Sequence, residues 1–371
     1  MKILLSGGGT AGHVNPAVAI ADALLKRDGK NEVAIVGRLG GDEYGLVERR
    51  GYKLYRIKVE GLSRKNPIKA AKSLFLDISS LGAARKIIKE FSPDVIVGTG
   101  GYVSAPVVFS GKLMKIPTLI HESNAYPGLT TKMLRGVCDK ILLGFESCRE
   151  RLGTRGEILT VGNPLIGDFN GIDRAAARRK LGIGKHDFFI LSFGGSGGAM
   201  MLNASIVELM RAFSLKTSGV RHIHAVGRKY FSEIKESEPS LCRGISGCKI
   251  LPYIDDMPTM MRAADLVISR SGAITVTEIT AVGAPSILIP SPNVSDDHQT
   301  KNARHLGDIG ASVVISESEL TLRRLLDTVT ALYESPAERQ RMGRAAERAY
   351  NPRAAWDIVN QIYLLSKNEK E

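Results

Sequence analysis

Aromatic residues are scarce in this chain: phenylalanine, tryptophan and tyrosine make up 6% of 371 residues, and there is one tryptophan. No Lys/Arg run is interleaved with aromatics, so bases would find little to stack on, and a nucleic-acid groove is the weaker reading. Cysteine is scarce too. The four cysteines (Cys138, Cys148, Cys242, Cys248) show no C-x-x-C spacing, which argues against a disulfide framework or a zinc knuckle and for reduced thiols. No uninterrupted apolar run approaches the roughly 18–20 residues that cross a bilayer. The first residues form a strand pattern rather than a secretory leader, so the expected location is the cytoplasm, with room for a position on a membrane surface. Acidic charge is in short supply, 38 Asp+Glu against 51 Lys+Arg, giving +13. That balance favours an anionic membrane surface or a phosphorylated substrate.

What is abundant is glycine, 39 residues, and two glycine-rich turns repeat. The first is SGGGTAGHVNP at 6–16; the second is SFGGSGGAMMLN at 192–203. Each follows an apolar run and precedes a helical pattern. In a strand–turn–helix unit of that kind, backbone N–H groups and the positive end of the helix dipole converge on one point, suited to a phosphate or a developing oxyanion. Strands are expected at 2–5, 32–36, 53–59, 95–98, 118–121, 140–143 and 158–161. In the second half they fall at 188–193, 222–226, 249–251, 266–269, 286–289 and 312–315. Several are continuously apolar, as parallel strands covered on both faces must be. Helical periodicity separates them, as at 17–25 and 204–213. The fold class is therefore α/β, doubly wound, twice over. A cluster of glycine, proline and asparagine at 162–172 marks the boundary. The expected domains are 1–162 and 163–350, with a final helix (351–371) packing back on the first.

Gly7, Gly9 and Gly12 formally match the dinucleotide fingerprint, but the second strand ends Val36-Gly37-Arg38 without the acid that would hold a ribose. Arg38 leaves an NADP reading open. His13 stands at the mouth of the first turn, where a helix dipole disfavours the imidazolium and leaves a ring able to accept a proton. Around Ser271-Gly272-Ala273 another strand-to-helix turn is expected. Glu278 follows Thr275 at i+3, on a face where a carboxylate would accept both hydroxyls of a ribose. Asp296, Asp297 and His298 have metal-ligand chemistry but crowd one loop, and no metal is expected, helix ends and cations sufficing for a diphosphate. His121 and Glu122 end a strand on the side where parallel sheets bind ligands. His222 and His224 alternate within an apolar strand and read as core or rim residues. The stretch 64–89 mixes Arg64, Lys65, Lys69, Lys72, Arg85 and Lys86 with leucine, isoleucine and phenylalanine. It reads either as an ordinary helix face or as a surface for anionic headgroups.

In chain order, GGGTAGHVNPAVAIA, GGYVSAP, HESNAYPG, VGNP, FGGSGGAMMLN, YIDDM and ISRSGAITVTEITAVGAPSILIPSP…DDHQTKNA resemble the motifs of the MurG family, bacterial N-acetylglucosamine transferases of peptidoglycan synthesis. The resemblance implies a GT-B glycosyltransferase, two facing Rossmann-like domains with a cleft between them, inverting and needing no cofactor. It implies transfer from UDP-N-acetylglucosamine to lipid I, forming lipid II, by a peripheral protein on the cytoplasmic face of the cell membrane. It further implies Thr10, Ala11 and Gly12 against donor and acceptor diphosphate, Asn124 on the transferred sugar and Ser196 near the donor phosphates. The Ile254 backbone would read the uracil edge. Ala273, Ile274, Thr275, Val276 and Thr277 would hold the diphosphate, Glu278 the ribose and Gln299 the sugar hydroxyls. His13 is the candidate general base and Glu122 the second. Two positions depart from the family pattern: Ala11 replaces a glycine, and Ile166 stands where an arginine is usual. Other GT-B enzymes, a diacylglycerol glycosyltransferase or a UDP-N-acetylglucosamine 2-epimerase, are the rivals.

Overall fold

In the computed structural model, residues 1–41, 44–59, 78–153, 156–195 and 197–367 are described. The chain divides into two compact units, residues 1–166 with 351–371, and residues 167–350. Among the described residues, the first unit holds seven strands: β1 (Lys2–Ser6), β2 (Glu32–Arg38), β3 (Lys53–Ile57), β4 (Val95–Gly98), β5 (Thr118–Glu122), β6 (Lys140–Leu143) and β7 (Glu157–Thr160). All are parallel, in the order β3-β2-β1-β4-β5-β6-β7. The second holds β8 (Phe188–Phe193), β9 (Val220–Ala225), β10 (Cys248–Leu251), β11 (Leu266–Ser269), β12 (Ser286–Leu288) and β13 (Ser312–Val314). They too are parallel, in the order β10-β9-β8-β11-β12-β13. Both are doubly wound sheets, and the strands at their centres are buried along their whole length, which explains their continuous apolar runs.

In each sheet the strand order reverses at one point, between β1 and β4 and between β8 and β11. Ligands of open parallel sheets bind beyond the carboxyl ends of the strands at such a reversal. Both glycine turns lie there, because each follows the first strand of its unit.

The helix after the first turn starts earlier than its periodicity implied. It runs Ala11–Arg27, with Pro16 as its sixth residue rather than in the first turn. Proline there removes the bond its own N–H would make to the Gly12 carbonyl, and its ring crowds that carbonyl; the helix nonetheless runs on to Arg27, and His13 falls inside the first turn. The helix Ala354–Lys367 belongs to the first unit. Ile358, Val359 and Ile362 are buried with Ile20 and Leu24 of Ala11–Arg27, and Asn351 Nδ2 donates to the Val161 carbonyl at 2.8 Å.

Candidate functional site

At the β1/β4 reversal, the first glycine turn and the Thr99–Gly101 turn close on one another. The Thr99 hydroxyl donates to the His13 carbonyl at 2.7 Å, and Ser104 Oγ donates to the Ser6 carbonyl at 2.7 Å. The imidazole of His13 lies against the glycine pair: a Cβ on Gly100 would stand 2.5 Å from Nδ1, and one on Gly101 3.2 Å from Cδ2. Both glycines have positive φ, 103° and 73°, so only glycine both adopts that backbone and leaves room for the ring. Nδ1 is buried in this contact. Thr10 caps the helix only through its carbonyl, with no side-chain capping bond. Ala11 occupies the first helical position and is half-buried.

Glu122 closes β5. One carboxylate oxygen accepts from the Asn124 backbone N–H and from Asn124 Nδ2, each at 3.0 Å; the other accepts from the Gly128 N–H at 2.9 Å and the Thr131 hydroxyl at 2.6 Å. With four donors on two oxygens, this buried carboxylate organises the 123–128 loop and orients Asn124. His121 is buried beside it, and its Nε2–H donates to the Gly162 carbonyl at 3.0 Å; burial lowers its pKa. That bond ties the Gly-Asn-Pro segment to the end of β5. Ile166, the departure from the family arginine, packs against the apolar core.

In the second unit, Ser271 and Gly272 turn β11 into the helix Ala273–Val282, which has no side-chain cap and no acid in its first turn. The N–H groups of Ala273, Ile274 and Thr275 have no partner among the described residues. Val276 points into the core and its N–H already donates to the Gly272 carbonyl, while the Thr277 hydroxyl donates back to the Ala273 carbonyl at 2.9 Å. Glu278, the sixth helical residue, is recessed and has neither a hydrogen bond nor an ion pair among the described residues. Desolvation pushes its carboxyl up to about 8. Gln299 reaches the same turn from the other side: its Oε1 accepts from the Ser291 N–H at 2.9 Å, and its carbonyl accepts from Ser271 Oγ at 2.8 Å. Ile254 is buried, with no hydrogen bond on its N–H or carbonyl among the described residues. Ser196 lies outside the described residues. The helix after this glycine turn, Met200–Leu209, also lacks a side-chain cap and a first-turn acid.

Some other helix starts carry a side-chain cap: Asp173, Asp256, Thr321 and Ser335 each accept a backbone N–H from the helix they precede. Side-chain caps satisfy the orphan N–H groups of a helix start. The three helices that follow glycine turns at the strand reversals have none, as is also true of Ser104–Leu113, Leu129–Leu134 and Arg228–Ser237; at the strand reversals, where ligands of parallel sheets bind, an anion would complete the cap.

Tyr44 was not singled out by the sequence, and it decides the dinucleotide question. Its hydroxyl donates to the Gly7 carbonyl at 3.1 Å and accepts from the Arg38 N–H at 2.8 Å, and its ring fills the space above Gly37. That space, at the end of β2, is where a dinucleotide fold receives the ribose. The ring occupies it, which removes the NADP reading that Arg38 had kept open. Asp296 and Asp297 start the helix His298–Asp308 with positive φ; the Asp297 carboxylate accepts from Thr300 Oγ1 at 2.6 Å. Within the basic stretch, residues 64–77, with Lys69 and Lys72, lie outside the described residues. Over the helix Ile78–Phe91, Ala84, Ile87, Ile88 and Phe91 are buried in the core, and Arg85, Lys86 and Lys89 are exposed. This half of the stretch is amphipathic because it covers the sheet, and its basic residues face outward.

The chain matches the glycosyltransferase family 28 N-terminal domain over residues 3–143 and the family 28 C-terminal domain over residues 189–358. A UDP-N-acetylglucosamine–N-acetylmuramyl-(pentapeptide) pyrophosphoryl-undecaprenol N-acetylglucosamine transferase of Acetivibrio thermocellus is 40% identical over 372 residues, covering 100% of this chain and 99% of the relative. The crystal structure of MurG from Acinetobacter baumannii superposes with a TM-score of 0.76 at 27% identity, over 98% of this chain and 99% of that one. A UDP-GlcNAc 2-epimerase from Neisseria meningitidis, bound to UDP-GlcNAc, shares the fold at 13% identity with a TM-score of 0.64, over 97% and 99% of the two chains.

Proposed function

This chain belongs to the MurG family of UDP-N-acetylglucosamine–N-acetylmuramyl-(pentapeptide) pyrophosphoryl-undecaprenol N-acetylglucosamine transferases, and from that membership we infer the reaction it performs. It transfers N-acetylglucosamine from UDP-N-acetylglucosamine to the 4-hydroxyl of the muramyl sugar of lipid I, with inversion, forming lipid II. The observation that carries the donor assignment is Glu278, an unpartnered, recessed carboxyl just inside an uncapped helix start. A nucleoside diphosphate offers what that arrangement lacks: oxygens for the N–H groups of Ala273, Ile274 and Thr275, and a ribose diol for the carboxylate. Gln299 contacts the sugar hydroxyls, and the open backbone of Ile254 meets the uracil edge. The second glycine turn, with Ser196, approaches the phosphates.

In the first unit, His13 Nε2 takes the proton of the attacking hydroxyl. The oxygen bonds to the anomeric carbon as the bond from that carbon to the UDP oxygen breaks, and UDP leaves with the electron pair. The glycine pair holds the ring by its Nδ1 side. Ala11, Gly12 and the Thr10 side of the turn receive the acceptor diphosphate. Glu122 acts as a positioning residue, since its oxygens are occupied by the donors that hold Asn124 toward the transferred sugar. The open helix starts stabilise the departing diphosphate, an effect that commonly supplies several kcal/mol. The protein docks on the anionic cytoplasmic face of the membrane through the basic side of 64–89.

His13→Ala is expected to lower kcat by about 10²–10⁴-fold while the KM for UDP-N-acetylglucosamine moves only a few-fold. Full turnover in that variant at saturating donor would dismiss His13 as the base. Release of UDP should depend strictly on lipid I, which an epimerase would not require. Calorimetric titration should detect UDP and no NADP.

A further inference from the structure

Beneath the second glycine turn runs a chain of buried polar groups that the mechanism does not use. Ser214, His222, Ser192, His224 and Asn203 are all buried, on four separate stretches of chain. Ser214 Oγ lies 2.9 Å from His222 Nδ1, and His222 Nε2 lies 2.8 Å from Ser192 Oγ. Ser192 Oγ is 2.9 Å from His224 Nδ1, and His224 Nε2 is 3.2 Å from Asn203 Oδ1. Asn203 Nδ2 then donates to the Val226 carbonyl at 2.9 Å.

That last bond dictates the orientation of the Asn203 amide. A carbonyl only accepts, so the amide nitrogen of Asn203 faces Val226 and its oxygen faces His224. His224 Nδ1 also lies 3.1 Å from the Ser192 carbonyl, so the ring donates from Nε2 to Asn203 or from Nδ1 to Ser192 according to its tautomer. In the Nε2–H tautomer Nδ1 accepts from the Ser192 hydroxyl, Ser192 accepts from His222 Nε2–H, and His222 Nδ1 accepts from Ser214. Burial favours the neutral rings: the pKa of His224 falls to about 4, and that of His222 falls well below its ordinary value, lowered also by His224.

The chain ends where the glycine turn is most tightly constrained. The Val226 carbonyl lies against Gly198 so closely that a Cβ on Gly198 would overlap it, and a Cβ on Gly227 would stand 2.7 Å from the Gly198 Cα. Ser192 lies in the strand that enters the turn, and Asn203 in the helix that leaves it. We propose that this buried chain, ending in the Asn203–Val226 bond, positions the 197–199 end of the second glycine turn for the donor diphosphate. Asn203 and His224 are thus positioning residues, a role that rests on reading this turn as the donor-phosphate site.

The test compares the two ends of the chain. Asn203→Ala releases Val226, whereas Ser214→Ala removes a buried bond at the far end and leaves Val226 held. Asn203→Ala is expected to raise the KM for UDP-N-acetylglucosamine, and the Kd for UDP, by about ten-fold, roughly the loss of one buried hydrogen bond, with kcat changed less than about three-fold. Ser214→Ala should lower the melting temperature by a similar amount but move KM less than about two-fold. If both variants raised KM in proportion to their loss of melting temperature, the chain would be merely structural and the proposal overturned. Imidazole nitrogen chemical shifts of the intact protein provide a second readout. Both His222 and His224 should be neutral from about pH 5.5 to 8, and a charged ring in that range would contradict the buried chain. A wild-type protein that bound no UDP would instead overturn the donor-site reading. Normal UDP binding with Asn203→Ala indistinguishable from it would overturn the positioning role alone.

Discussion

A carboxyl group with no partner inside a protein is costly when ionised, so Glu278 is protonated more readily than a glutamate in water. Its pKa of about 8 against an ordinary 4.5 has a definite consequence for stability. Between those values the folded protein holds a proton that the unfolded chain has released, so stability falls as pH rises from about 4.5 to 8 and is level above. Glu278→Gln cannot ionise and escapes that loss. The variant's melting temperature should exceed the wild type's by an amount that grows from near zero at pH 5 to a few degrees at pH 8. A difference that stays flat with pH would contradict the raised carboxyl. Binding runs the other way, because ribose hydroxyls donate to the ionised form. The wild-type KM for UDP-N-acetylglucosamine, whose diphosphate does not titrate in this range, should fall as pH rises toward 8, and Glu278→Gln should bind weakly with no such slope. His13 and Glu278 were both legible as residues in the sequence. The occupied oxygens of Glu122 were not, since Thr131 and Gly128 reach it only once the loop has folded around it.

Among the elements, an uncapped helix start is shared by the three glycine-turn helices and by packing helices such as Ser104–Leu113 and Leu129–Leu134. What sets Ala273–Val282 apart is the recessed Glu278 just inside its open start. The position of Glu278 in the helical repeat is written in the sequence, although it becomes meaningful only when the helix boundary is known. The helix Ile78–Phe91 shows where periodicity stops. Its basic and apolar residues read equally well as a membrane-inserting face or as a core-covering one, because periodicity does not say which side meets the sheet. With Ile87, Ile88 and Phe91 in the core, membrane attraction through this helix is left to Arg85, Lys86 and Lys89. Binding to vesicles containing anionic lipid should therefore weaken steeply between about 50 and 300 mM salt, as screening predicts. Neutralising Arg85, Lys86 and Lys89 together should reduce it several-fold, with no blue shift of the kind that insertion of an apolar face would give to a fluorophore placed on this helix. Salt-independent binding would contradict an electrostatic attachment.

For the molecule as a whole, the last segment returns to the first. The helix Ala354–Lys367 buries Ile358, Val359 and Ile362 against Ala11–Arg27, the helix whose first turn carries His13. Ile358→Ala should cost about 2–5 kcal/mol. Monitored by unfolding with a probe in each unit, the loss should appear in the first unit's transition and leave the second's in place. An equal shift in both would contradict the assignment of this helix to the first unit. The division itself, at 166–167 with a return at 351, keeps each sheet's strands contiguous in the chain. By itself, the sequence determined what depends on near neighbours: the strand segments, the glycine turns, the helical periodicities and the motifs of the family. Strand propensity, turn conformation and helix dipole are local, so they can be read from a few residues at a time. Only the tertiary structure decided which of those residues face one another. It brought Gly100 against the His13 ring, filled the would-be dinucleotide pocket with Tyr44, and linked Ser214 to Val226 through two histidines. Those contacts join residues far apart in the chain, and their partners are chosen by the order of strands in the sheets.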